Sequence, residues 1–273
     1  MHSINDKAVL ANGVEIPWLG LGVYKADNEG EVEQAVKTAL ENGYRSIDTA
    51  SFYGNEEGVG RAVKESGIPR EEIFLTTKVW NDDQGYDNTM KAFEISRRKL
   101  GVDVIDLYLI HWPVEGLYKE TWRALEDLYK RGFVRAIGVC NFLPHHFEEL
   151  KNTAEVTPML NQVEFHPWLT QPELMAYCQE NNIQLEAWSP LTRGRKLDDP
   201  VLNVIADKYN KTPAQVILRW NVQEKVVTIP KSVTPVRIKE NADIFDFELT
   251  DEDVRQLYDL NQELRFGPHP DDF

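Results

Sequence analysis

Eight short apolar runs alternate with longer amphipathic segments along the chain, and this alternation restricts the fold more than any other feature. Strict alternation of strands and helices requires a parallel sheet, because parallel neighbours are joined by a long crossover connection. Eight such units favour a closed (β/α)8 TIM barrel of the α/β class, with an open doubly wound sheet as the structural alternative. The predicted strands cover residues 19–23, 46–49, 74–79, 105–110, 136–139, 160–165, 184–187 and 226–229.

An Asn-Gly pair near the N-terminus predicts a β-hairpin over about residues 8–16, since Asn12 and Gly13 favour the positive φ angles of a tight turn. No linker rich in Pro, Gly or Ser interrupts the alternation that follows. We therefore expect a single barrel domain over residues 1–273, with a loose acidic tail over about residues 262–273. Besides a first helix around Val32 to Leu40, the predicted helices cover residues 55–66, 88–100, 121–131, 145–152, 172–182 and 213–223.

The charge and the cysteine content exclude several classes of protein. A net charge of -15 repels nucleic acid, and no run of Lys and Arg suggests a track for it. The two cysteines, Cys140 and Cys178, lack metal-ligand spacing, so neither a disulfide framework nor a metal site is expected. Since about 18 apolar residues in a row are needed to span a membrane and none are present, we expect no membrane partner. The expectation is a monomer in the cytoplasm.

Polar side chains with acid–base chemistry lie at the ends of the predicted strands, where a barrel forms its active site. Asp48, Lys78 and His111 end or follow three runs, and Tyr53 follows five residues after Asp48. Each alone has an ordinary structural explanation, such as a helix cap or a solvated lysine. Together they form a coherent set, because a Lys78 ammonium would lower the pKa of Tyr53 from about 10. Asp48 would keep Lys78 charged, and a neutral His111 would donate a hydrogen bond to a substrate oxygen.

Three strings make the chain resemble the aldo-keto reductase family over essentially its whole length. They are GYRSIDTA over residues 43–50, with Tyr53 following, LYLIHWP over residues 107–113 and IPKS over residues 229–232. The resemblance implies a (β/α)8 barrel and a nicotinamide cofactor without a metal. It also implies reduction of a carbonyl group to an alcohol, with hydride from NADPH and a proton from Tyr53. The catalytic tetrad that the resemblance implies consists of Asp48, Tyr53, Lys78 and His111.

Gly-Leu-Gly at residues 20–22 lacks the rest of the dinucleotide-binding fingerprint, so the cofactor must be held in another way. The same resemblance implies how the nicotinamide end of NADPH is bound. Asn141 and Gln162 would hydrogen-bond the carboxamide, and Trp188 would stack on the ring. Amide side chains offer the paired donor and acceptor that a carboxamide needs. Cys140 replaces a serine that is usual in the family, so we expect slightly weaker binding there.

A basic segment after the last strand is the predicted phosphate site. Thr234 followed by a proline predicts a helix N-terminus, and a helix N-terminus beside Lys231 and Arg237 attracts anions. The resemblance places the 2′-phosphate of NADPH there. The full set of predicted cofactor-binding residues is Gly22, Val23, Asp48, Cys140, Asn141, Gln162, Trp188, Ser189, Leu191, Lys231, Ser232, Val233, Thr234, Arg237, Glu240 and Asn241.

Aromatic residues near the strand ends predict a cleft for small carbonyl compounds. Residues 265–273 resemble the ending of the prokaryotic branch that includes glyoxal, methylglyoxal and diketogluconic acid reductases. We expect this short tail to leave the cleft open. The predicted substrate-binding residues are Tyr24, Tyr53, Trp80, His111 and Trp112.

The predicted reaction is reduction of small aldehydes, ketones and α-dicarbonyls such as methylglyoxal or glyoxal, and there are three alternatives to it. A keto-sugar acid reductase of the same family stays open as the alternative. A metal-dependent barrel hydrolase would need clustered ligands, but the six histidines include no His-x-His motif. A non-catalytic NADPH-binding regulator is disfavoured because the tetrad is intact. The sequence therefore predicts an NADPH-dependent oxidoreductase.

Overall fold

The computed structural model describes residues 1–273 and begins with an antiparallel hairpin. Strand β1 (Lys7–Val9) pairs with β2 (Glu15–Pro17), so the predicted hairpin is present. Its loop covers residues 10–14, and Gly13 has a φ of 84° whereas Asn12 does not lie in the left-handed region. A tight turn is present, because the N–H of Gly13 donates to the carbonyl oxygen of Leu10 and the N–H of Leu10 donates to that of Val14, both at 2.8 Å. The positive φ expected at Asn12 was wrong, because the turn is centred on Ala11 and Asn12 and only Gly13 takes the left-handed conformation.

Eight parallel strands follow in chain order around a barrel, which confirms the predicted alternation. The sheet closes where the first strand meets the last, through bridges from Leu19 to Thr228 and from Gly22 to Lys231. Closure excludes the open sheet and brings the C-terminal ends of all strands to one face. The strands are β3 (Leu21–Gly22), β4 (Ser46–Asp48), β5 (Phe74–Val79), β6 (Ile105–Ile110), β7 (Val134–Cys140), β8 (Leu160–Glu164), β9 (Gln184–Trp188) and β10 (Val227–Thr228).

Ten α-helices pack outside the strands, and five of them begin at a proline, whose fixed φ suits the first helical turn. Helices α7 and α10 were not predicted. No helix combines the length and the apolar character needed to cross a membrane. The helices are α1 (Glu31–Glu41), α2 (Glu56–Glu65), α3 (Tyr86–Leu100), α4 (Tyr118–Lys130), α5 (Pro144–Lys151), α6 (Pro172–Glu180), α7 (Pro200–Tyr209), α8 (Pro213–Gln223), α9 (Pro235–Ala242) and α10 (Asp251–Tyr258).

The C-terminal tail packs on the barrel, so the expectation of a loose tail was wrong. The backbone amides of Phe266 and Gly267 donate to the carboxylate of Glu164 at 2.7 and 3.0 Å. The ring of Phe273 stacks on Trp112 with the ring centroids 4.3 Å apart. The sequence did not indicate this packing because the tail lacks regular apolar periodicity. Its backbone is held by the buried carboxylate of Glu164 at the end of β8.

Candidate active site

A cleft of about 1020 Å³ opens at the C-terminal ends of the strands. Its lining includes every predicted cofactor-binding and substrate-binding residue except Val23. Val23 is only 1% exposed and packs in the core, so its side chain does not reach the cleft. Lys78 is fully buried and does not line the cleft either. It contacts two residues that do, Asp48 and Tyr53.

The Lys78 ammonium has an acceptor for each of its three hydrogens. Nζ lies 2.6 Å from Oδ1 of Asp48, 2.9 Å from the carbonyl oxygen of Thr49 and 3.5 Å from the hydroxyl of Tyr53. The other carboxylate oxygen of Asp48 accepts from Nε2 of Gln162 at 2.7 Å. Asp48, Lys78 and Tyr53 therefore form one buried, hydrogen-bonded unit.

Burial dominates the protonation of this unit. It raises the pKa of Tyr53 above the ordinary tyrosine value, although the Lys78 charge acts in the opposite direction. The expectation that Lys78 brings this pKa below 10 was therefore wrong, because desolvation of the phenolate outweighs the attraction of one ammonium. Burial also disfavours the charged form of Lys78, but Asp48 raises the pKa of Lys78 overall. Tyr53 thus keeps its proton throughout the physiological pH range.

His111 is neutral in this environment, as the sequence suggested. Burial, together with the charge of Lys78, holds the pKa of His111 well below its usual range. Its ring lies edge-on to Tyr53, with the centroids 5.8 Å apart. A neutral imidazole that faces the cleft beside a protonated phenol suits hydrogen bonding to a carbonyl oxygen.

Aromatic rings surround Tyr53 and His111. The rings of Trp80 and Phe52 are stacked with their centroids 3.8 Å apart, and the ring centroids of Tyr24 and Tyr53 are 5.0 Å apart. Phe52 was not predicted, because it lies in a 3₁₀ turn rather than at a strand end. The tail adds Pro268 and Phe273 to the lining, so it forms a wall of the cleft rather than leaving it open.

The amide of Asn141 is engaged on both sides. Its nitrogen donates to the carbonyl oxygen of His111 at 3.0 Å, and its oxygen accepts from the indole nitrogen of Trp188 at 2.8 Å. A cofactor carboxamide must therefore share or displace the Trp188 bond. Cys140 is buried beside these groups, and burial raises the pKa of its thiol well above the usual value.

The basic end of the cleft lies at the start of α9. Lys231 and Arg237 are exposed there and form no ion pair within 4 Å. The side chain of Thr234 accepts no N–H of the first helical turn, and the hydroxyl of Ser232 accepts the backbone N–H of Thr234 at 3.2 Å. The predicted helix N-terminus at Thr234 is confirmed, since α9 begins at the proline that follows it.

Two further cations in the cleft were not predicted. Lys25 and Arg193 line it without an ion pair, and their φ angles are 60° and 55°. Both lie in loops whose left-handed backbone places them at the cleft. No motif spacing signals such a placement, because it depends on the course of the loops.

A second cluster of ionisable groups anchors the tail. The Nε2 atoms of His145 and His146 lie 2.9 and 3.3 Å from one oxygen of Asp271. Nδ1 of His146 accepts the backbone N–H of Leu143, so in the neutral ring Nε2 carries the hydrogen. Burial lowers the pKa of His146 to about 4, which keeps the ring neutral. Because Nε2 is a donor, this cluster suits a tail contact better than a metal site.

Comparison with known proteins agrees with this geometry. The chain is 61% identical over 270 residues to the glyoxal reductase of Bacillus subtilis, covering 99% of this chain and 98% of that protein. It is 49% identical to the methylglyoxal reductase DkgA of Escherichia coli, covering 97% and 96%. The crystal structure of a Gox0644 mutant in complex with NADPH superimposes with a TM-score of 0.93 at 43% identity, covering 97% of each chain.

A family model described as the aldo/keto reductase family matches residues 18–262. This range contains the barrel, the buried Asp48–Lys78–Tyr53 unit and the basic start of α9. The chain therefore belongs to the aldo/keto reductase family.

Proposed function

We propose that the protein reduces small aldehydes, ketones and α-dicarbonyls, including glyoxal and methylglyoxal, with NADPH. The observation that carries this function is the buried Lys78–Asp48 pair against the protonated Tyr53 at an aromatic cleft. The glyoxal and methylglyoxal reductases among its relatives support the substrate class. The uncharged rings around Tyr53 and His111 suit neutral carbonyl compounds better than keto-sugar acids, which carry a charge.

The chain's own residues supply the proton and the positioning. NADPH, when bound, supplies the hydride that reaches the carbonyl carbon. Tyr53 donates its proton to the carbonyl oxygen, which completes the alcohol, and later regains a proton from solvent. Lys78 stabilises the negative charge that develops on the Tyr53 oxygen, and Asp48 keeps Lys78 charged and oriented. Neutral His111 donates a hydrogen bond that orients the carbonyl oxygen.

We propose that NADPH lies along the cleft, with its nicotinamide at Asn141 and its 2′-phosphate at the start of α9. We propose that Asn141 and Gln162 bind the carboxamide and that Trp188 stacks on the nicotinamide ring. Lys231 and Arg237 would bind the 2′-phosphate, because cations without partners beside a helix N-terminus suit an anion. Lys25 and Arg193 provide two further unpaired charges, and we propose that they face the pyrophosphate.

We also propose that residues 1–273 act as one domain and as a monomer. One chain supplies every residue of the cleft, and the hairpin and α10 pack on the same core as the barrel. We place the protein in the cytoplasm, because both cysteines are buried and unpaired.

Replacing the proton donor tests the function directly. NADPH consumption is followed with glyoxal, methylglyoxal, a nitrobenzaldehyde and a keto-sugar acid. The wild type is expected to turn over the first three well and the acid poorly. Tyr53→Phe should lower turnover about 10²- to 10⁴-fold, because only the donor is lost, with the dissociation constant for NADPH nearly unchanged.

The matched control is Tyr108→Phe, which removes a buried hydroxyl that has no hydrogen-bond partner. We expect wild-type turnover in this variant. Full activity of Tyr53→Phe would remove Tyr53 from the mechanism, and faster turnover of the keto-sugar acid than of the dicarbonyls would favour the alternative substrate class.

The buried ion pair can be separated from the chemistry by a double-mutant cycle. Lys78→Met leaves Asp48 without its ammonium, so we expect a loss of about 3–5 kcal/mol in the free energy of unfolding and a large loss of turnover. The double variant Lys78→Met with Asp48→Asn should regain most of the stability but none of the turnover. Thermal unfolding and the pH profile of residual activity measure the two effects. Recovery of turnover together with stability would show that Lys78 serves the fold alone.

Cofactor choice tests the phosphate site. Arg237→Ala should raise the dissociation constant for NADPH about tenfold to a hundredfold and change that for NADH little, because NADH lacks the 2′-phosphate. The difference should shrink as salt screens the attraction. Lys239→Ala, which removes an exposed cation of the same helix outside the cleft, is the control. Equal weakening of both cofactors by Arg237→Ala would place Arg237 on a part of the cofactor that the two share.

A further inference from the structure

A second buried carboxyl group lies beside the Lys78–Asp48 pair. Glu186 of β9 is 1% exposed, and its Oε2 accepts from Nε2 of Gln162 at 2.8 Å. The same nitrogen donates to Asp48 at 2.7 Å. One amide group is thus held between two carboxyl groups, and the mechanism derived above assigns no role to Glu186.

The charges of this cluster do not balance if both carboxyl groups are ionised. Lys78 donates to Asp48, and no cation contacts Glu186. A second negative charge inside the barrel would be desolvated and repelled by Asp48, so Glu186 is the group that takes a proton. Burial and the charge of Asp48 raise the pKa of Glu186 to about 8.

Three other titratable groups face Glu186: Asp48 on β4, Lys78 on β5 and Cys140 on β7. Burial raises the pKa of Asp48, whereas the charge of Lys78 acts in the opposite direction. The pKa of Lys78 is raised, and burial raises that of Cys140 well above its usual value. Asp48 has the Lys78 ammonium at 2.6 Å and Glu186 has no cation in contact, so Glu186 is the carboxyl group that holds a proton and loses it near pH 8.

We propose that Glu186 is a positioning residue for the cofactor, which orients the amide of Gln162 and whose ionisation favours binding of NADP⁺ over NADPH. This inference rests on the proposed function, because it places the nicotinamide beside Gln162. Both hydrogens of the Gln162 amide are committed to carboxyl oxygens, which leaves its oxygen for the cleft that Gln162 lines. That oxygen can accept from the NH₂ group of the cofactor carboxamide.

Ionisation of Glu186 affects the two cofactor forms differently because their nicotinamide rings differ in charge. The oxidised nicotinamide carries a positive charge that the reduced ring lacks. Below about pH 8 Glu186 is neutral and does not favour binding of either NADP⁺ or NADPH. At higher pH the ionised carboxylate attracts the oxidised ring, so NADP⁺ binding tightens relative to NADPH binding.

Two variants of the full-length chain separate orientation from charge. Glu186→Leu removes the acceptor and should raise the dissociation constant for NADPH about threefold to tenfold at neutral pH, measured by fluorescence quenching. The dissociation constant for 2′,5′-ADP, which lacks the nicotinamide, should not change. Glu186→Gln keeps an acceptor and should bind NADPH like the wild type. Unchanged NADPH binding in Glu186→Leu, or equal weakening of 2′,5′-ADP, would overturn the positioning role.

The charge is tested by the ratio of the dissociation constants for NADP⁺ and NADPH between about pH 7 and about pH 9. We expect this ratio to fall at least threefold in the wild type and to stay constant in Glu186→Gln. Glu126→Gln, which alters a buried glutamate that holds the backbone at Glu155 and Val156, should keep the wild-type trend. A trend that persists in Glu186→Gln, or a flat ratio in the wild type, would overturn the electrostatic role.

Turnover of methylglyoxal by the wild type is measured alongside these binding constants. An inactive wild type that shows the expected binding differences would contradict the proposed function alone. An active wild type without those differences would contradict the role of Glu186 alone.

Discussion

The ion pair between Lys78 and Asp48 is the interaction on which the site depends. Two charges buried inside a barrel are costly, and they are tolerated because each hydrogen of the ammonium and each oxygen of the carboxylate has a partner. Closure of the barrel makes this possible by bringing Gln162 on β8 within hydrogen-bond distance of Asp48 on β4, although the two strands are not neighbours in the sheet. The pair holds Tyr53 on one side and Gln162 on the other, so the proton donor and the proposed carboxamide site share one anchor.

A second constraint completes the cleft from outside the barrel. The carboxylate of Glu164, at the end of β8, accepts hydrogen bonds from the backbone N–H groups of Phe266 and Gly267. One of its oxygens also lies 3.1 Å from Nε2 of His166. Beyond this point the tail brings Phe273 onto Trp112. The barrel strands therefore carry the buried ionisable groups of the site. The C-terminal tail, which Glu164 holds by its backbone, forms part of the wall of the cleft.

The sequence predicted what depends on apolar periodicity and on strand ends. All eight strands were found from periodicity, and Asp48, Lys78 and His111 from the strand ends. The cofactor-binding residues came from the resemblance to the family, and all of them except Val23, whose side chain packs in the core, line the cleft. The pKa of Tyr53 could not be predicted, since the sequence shows the nearby ammonium but not the degree of burial. Lys25 and Arg193 depend on left-handed loop backbone. Glu186 resembles an ordinary strand residue until Gln162 is seen to link it to Asp48.

The central claim is that this cleft delivers hydride from NADPH to a carbonyl carbon while Tyr53 protonates the oxygen. The most direct measurement follows the transferred hydrogen: the wild type reduces a nitrobenzaldehyde in ordinary water with NADPH deuterated at the transferable position. We expect a benzylic alcohol that carries one deuterium on the carbinol carbon for each NADPH consumed. An alcohol without deuterium at that carbon, or NADPH binding without any reduction, would contradict it.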